Sequence, residues 1–71
     1  MESIKIDTPY ITLGQLLKRL DVIDSGGQAK YFLQEETVKV NGEVETRRGR
    51  KIYPRDQVDI SGFGSVVVSD R

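Results

Sequence analysis

The 71 residues predict an α+β domain in which two N-terminal helices pack on a small, mostly antiparallel sheet. Leucines recur at helical spacing in the first third of the chain. After Glu35-Glu36 the apolar period drops from 3.6 to 2, and Asn41-Gly42 then supplies the dipeptide best suited to a two-residue hairpin turn. Early helices followed by a run of strands point to α+β rather than to alternating parallel units.

Taken in order, Ile4 and Ile6 alternate with polar neighbours, so residues 3–6 read as a strand, stopped at Asp7-Thr8-Pro9. Thr12 followed by Gln15 has the form of a capping box. Leu13, Leu16, Leu17 and Leu20 then line one helix face, which turns Lys18 and Arg19 outward. Gly14 costs that helix about 1 kcal/mol relative to alanine. A second helix is expected with Ser25 as N-cap and Gln28 closing the box, its inner face made by Ala29, Phe32 and Leu33, with Tyr31 the more exposed aromatic. Val38 and Val40 lead into the Asn41-Gly42 turn and Glu43-Val44 leads out. Ile52-Tyr53, Val58-Ile60 and Val66-Val68 make further strands around turns at Pro54-Arg55-Asp56 and Ser61-Gly62-Phe63-Gly64.

A chain this short makes one domain, residues 1–71, near the lower limit for an unassisted apolar core. Cysteine and histidine are both absent, so disulfides, the usual zinc sites and Ser–His or Cys–His nucleophiles cannot be built from it. Glu35 and Glu36, being neighbours on a helix, diverge by about 100° and make no paired acid and base. No catalytic residue, metal or cofactor is expected. The start lacks the apolar core of a signal peptide, and no apolar run nears the roughly 18 residues of a membrane span, so a cytoplasmic protein is expected.

Charge is the strongest functional signal. Residues 1–46 carry a net −3, residues 47–55 a net +5 and residues 56–71 a net −2, so the formal total is zero. The positive segment begins just after the hairpin, with Arg47, Arg48, Arg50 and Lys51 in five positions. A neutral chain with one basic face draws a polyanion to that face alone. Arginine forks pair phosphate oxygens bidentately, and a basic loop beside a helix end reads backbone shape, which suits folded or double-stranded RNA. The plainer alternative is a solvated loop whose charges face Glu43, Glu45 or Asp56.

The run Leu16-Leu17, then Ser25, Ala29-Lys30 and Leu33, then Val38-x-Val40-Asn41-Gly42-Glu43, then Asp56-x-Val58, resembles the alpha-L RNA-binding motif, the domain named after small-subunit ribosomal protein four. The resemblance covers about residues 12–60, and the Val-x-Val-Asn-Gly-Glu piece is its specific part. Ser25 to Lys30 and Glu45 to Ile52 are most similar to the small stand-alone bacterial members, the YaaA-like branch. Thr12 and Gly26 stand where members commonly have arginine, and Glu36 and Arg55 where they commonly have glycine.

What the resemblance implies is binding of structured RNA, often ribosomal RNA or an assembling ribosomal particle, by the helix pair and adjoining loop; a non-catalytic monomer is expected. The residues expected to bind RNA are Gly26, Gly27, Gln28 and Lys30 around the second helix, Lys39 and Asn41 in the hairpin, and Arg47, Arg48, Arg50 and Lys51. Gly26-Gly27 has two readings, close helix packing or a helix N-terminus open to phosphate. Lys30 is either a phosphate contact or simply solvated, and Tyr53 either stacks on a base or belongs to the core. The other class of function is an adaptor that docks on a ribosomal protein or assembly factor, with Asp21, Asp24, Glu35 and Glu36 gathered around the helices.

Overall fold

The computed structural model describes residues 2–70. It contains strands β1 (Glu2–Lys5) and β2 (Ile11–Thr12), helix α1 (Leu13–Arg19), a 3-10 turn (Gly26–Gln28) and helix α2 (Ala29–Glu35). Strands β3 (Val38–Val40), β4 (Glu43–Val44), β5 (Lys51–Ile52), β6 (Gln57–Ile60) and β7 (Gly64–Ser69) follow. The main sheet has the order β1-β7-β6-β3-β4, antiparallel throughout except for the parallel pair β1–β7. β2 and β5 form a separate two-stranded ribbon. The chain is thus α+β with two helices and a mostly antiparallel sheet, and both helices fall in its first half, behind two short strands.

Alternation places five of the sheet's valines on one face, whereas Val44 is exposed and Val67 falls on the other side. Val38, Val40, Val58, Val66 and Val68 are buried against Leu13, Leu16 and Leu17 of α1 and Ala29 and Leu33 of α2. At α1 the capping box forms as its spacing predicts: Gln15 N donates to Thr12 Oγ1 at 3.2 Å and Thr12 N to Gln15 Oε1 at 2.9 Å. The helix ends in a Schellman arrangement, with Asp21 N donating to Lys18 O and Val22 N to Leu17 O, and Asp21 itself at φ 64°.

The second helix departs from expectation. Ser25 makes no side-chain cap, and the Gln28 amide oxygen accepts instead from the backbone N–H of Asp24, one residue upstream of the predicted partner. A 3-10 turn occupies Gly26–Gln28 and α2 begins only at Ala29. Nor do the two glycines permit a close helix approach, since a Cβ at Gly26 would meet nothing within 4 Å and one at Gly27 only the neighbouring Ser25 Oγ at 3.9 Å. The close approach is at Gly14, where a Cβ would lie 3.4 Å from Arg48 O and 3.7 Å from Ala29 Cβ. The hairpin forms as predicted, Asn41 at φ 52° and Gly42 at φ 88°, with Val40 opposite Glu43.

Candidate nucleic-acid interface

Residues 45–51 cross from the hairpin to β5, and their conformation is held from two sides. On one side is the Glu45 carboxylate, only 6% exposed. Its Oε2 accepts from the backbone N–H of Thr46 and of Arg47 and from Arg47 Nε, each at 3.0 Å, while Oε1 accepts from Arg47 Nη2 at 3.2 Å and Arg50 Nη1 at 2.9 Å. These donors lower the Glu45 pKa from 4.5 to about 2, with the Arg47 side chain contributing most, its backbone N–H next, and burial opposing. On the other side is the first turn of α1. Leu13 N donates to Arg50 O at 2.8 Å and Gly14 N to Arg48 O at 2.9 Å, so the loop's carbonyls satisfy two N–H groups that every helix start leaves free.

The segment leaves the hairpin at Glu45, whose backbone N–H donates to Val38 O at 2.8 Å, and beyond that point the Glu45 carboxylate and α1 hold it. The Asn41 side chain faces the other way along the chain: its Nδ2 donates to Asp56 Oδ1 and its Oδ1 accepts from Gln57 N, tying the hairpin to the start of β6. Both ends of the amide are thus engaged within the domain. Lys39, between buried Val38 and Val40, lies on the sheet face turned from the core and opposite Asp59, whereas the basic loop is docked on α1. The Gln28 side-chain oxygen is spent on Asp24. Lys30 and Gly27 are exposed, and Gly26 is exposed with its carbonyl accepting from Arg48 Nη1 at 3.3 Å.

The arginines are only partly tied up by carboxylate. Among the described residues, Arg47 and Arg50 form ion pairs, both with Glu45, whereas Arg48 and Lys51 form none. The Arg47 side chain is 76% exposed, so its guanidinium is held flat on one edge by Glu45 and open to solvent on the other. Of the three acids that the solvated-loop reading names as partners, Glu45 is the one that pairs with the loop: one buried anion orients two forks, while Arg48 and Lys51 stay outside any ion pair among the described residues.

The cationic surface also extends further than the sequence suggests. Lys18 borders the same groove as Arg48, Gly49 and Gly26, and on its other side Lys18 and Arg19 border a groove with Thr8, Pro9 and Tyr10. Lys18 is readable from its outward place on α1, but nothing local in the sequence places it beside Arg48. Arg19 Nη2 donates to Lys5 O at 2.8 Å, which fixes its position along that rim. No group of acidic residues able to hold a metal ion occurs among the described residues, and none of their helices is long and apolar enough to cross a membrane.

The S4 domain profile matches residues 4–69. The chain is 62% identical over 65 residues to the Bacillus subtilis (strain 168) protein named "Probable ribosome maturation protein RlbA", covering 92% of each chain. It is 41% identical over 61 residues to the Escherichia coli (strain K12) protein named "Putative RNA-binding protein YbcJ", covering 86% of this chain and 87% of that one.

Proposed function

This chain belongs to the S4 domain family, and from that premise we propose that it binds structured RNA without catalysis, through the Glu45-anchored basic loop and the adjoining rim of α1. The observation that carries the reading is the loop itself. Arg47, Arg48, Arg50 and Lys51 project from a segment fixed by a buried carboxylate and by two backbone bonds to α1. A fixed array of cations loses little conformational entropy on binding, so more of its phosphate attraction appears as affinity.

The RNA is a ribosomal RNA or a ribosomal particle being matured in the cytoplasm. That narrower statement draws on the names of the relatives, one a ribosome maturation protein and another an RNA-binding protein. Of the residues expected to contact RNA, the basic four together with Lys30, Gly26 and Gly27 remain in the proposed site, and Lys18 joins them. Asn41, Lys39 and Gln28 act in the fold or lie elsewhere.

The test is titration with a structured ribosomal RNA fragment, comparing the native protein with one in which Arg47, Arg48, Arg50 and Lys51 are replaced by glutamate. Salt-sensitive binding lost in the variant is the expected result. Absence of binding, or binding indifferent to the four replacements, points instead to an adaptor that meets a ribosomal or assembly protein.

A further inference from the structure

One position beyond the buried Ile11–Ile52 pair of the β2–β5 ribbon, Tyr10 faces Tyr53. Ile11 and Ile52 point into the core, so alternation turns both tyrosines and Lys51 to the ribbon's outer face. The ring centroids are 5.6 Å apart at an interplanar angle of 50°, and Lys51 Nζ sits 5.0 Å from the Tyr10 centroid. Tyr10 is 37% and Tyr53 48% exposed, so this aromatic surface serves the core only in part. Its backbone is firm: Thr8 Oγ1 donates to Tyr10 O and Tyr53 N donates to Asp56 Oδ2. Cations flank it on both sides, with Lys18 and Arg19 across the groove beside Tyr10, and Arg47 and Arg50 across the groove beside Tyr53.

Exposed aromatic rings between two sets of cationic side chains match one ligand chemistry, a planar base carried on an anionic backbone. We propose that Tyr10 and Tyr53 form the platform on which an unpaired nucleobase of the bound RNA stacks, so that the preferred ligand is a duplex carrying an extruded nucleotide. A continuous helix offers phosphates to the basic loop but no free base to the rings. This inference rests on the RNA reading above and adds the feature of the RNA that is recognised.

Two RNA hairpins of the same stem, one with a single bulged 5-iodouridine and one fully paired, separate the possibilities. The native protein is expected to bind the bulged hairpin about tenfold more tightly, in line with the strength of base–aromatic stacking. Irradiation is expected to crosslink the iodouridine to Tyr10 or Tyr53. Replacing both tyrosines by leucine, which keeps bulk without a π face, should remove that preference, and replacement by phenylalanine should retain it. Equal affinity of the native protein for the two hairpins, or crosslinking only elsewhere, overturns the platform. If binding to both hairpins is still salt-sensitive and dependent on the arginines, the RNA reading survives that loss; if neither hairpin binds, both readings fall.

Discussion

At the scale of single residues, Glu45 has the largest expected effect, and its sign is diagnostic. Removing a negative charge from a phosphate-binding surface should by charge alone strengthen RNA binding. Because this carboxylate positions Arg47 and Arg50, Glu45→Gln is expected instead to weaken it, and a filter-binding or anisotropy titration shows which effect prevails. Glu45→Ala is expected to lower stability by about 2 kcal/mol, the scale of hydrogen bonds to a charged group. Its titration also has a defined direction. A folded-state pKa of about 2 against an ordinary 4.5 means that Glu45 stabilises the fold fully above the ordinary value and loses that contribution as pH falls through the folded one. Denaturant midpoints followed from neutral pH into acid should decline for the native protein, with a smaller decline for Glu45→Gln.

Arg55 offers a second residue-scale prediction. It adopts φ 77°, a conformation that costs a side chain with a Cβ. Its backbone N–H nonetheless donates to Val68 O at 2.6 Å. Arg55→Gly relieves the backbone while retaining that bond and is expected to raise stability by about 1 kcal/mol, read as an upward shift of the thermal midpoint.

At the scale of elements, the N-terminus of α1 is the joint between scaffold and site. Thr12 caps it, and its next two N–H groups hold Arg48 O and Arg50 O. Gly14 lies at the contact. An alanine there places its Cβ at ordinary van der Waals distance, 3.4 Å from Arg48 O, and also gains helix propensity, so Gly14→Ala is expected to fold normally. A longer side chain extends beyond that Cβ into the groove that Gly14 shares with Arg48 and Gly49. Gly14→Leu is expected to displace the loop and weaken RNA binding while far-UV circular dichroism stays native-like.

At the scale of the whole molecule, the formal net charge of zero makes distribution the deciding factor. On the proposed reading, attraction to RNA is expected to come from segregation of charge and to be screened accordingly. If Lys18, Lys30, Arg47, Arg48, Arg50 and Lys51 all contact phosphate, log K should fall against log salt with a slope of about −4.2 to −5.4. Each cation replaced by a neutral residue should make the slope shallower by about 0.7 to 0.9. A slope near zero in the native protein would remove the electrostatic basis of the proposal.

The two helices, the hairpin turn, the valine strands and the concentration of charge after residue 46 were all legible in the sequence. Each depends on neighbours a few positions apart: leucine spacing, the Thr12–Gln15 box, positive φ at Asn41-Gly42, alternation in Val38-Lys39-Val40 and Val58-Asp59-Ile60. What only the tertiary structure decided was how that charge is held and what stands beside it. Glu45 looks like one more surface acid in Glu43-Val44-Glu45 until the fold buries it under two arginines. Tyr10 and Tyr53 become neighbours only when β2 and β5 pair. Local periodicity reports which face of an element is apolar, whereas the partners of a polar group are set by segments distant in sequence that meet when the core closes.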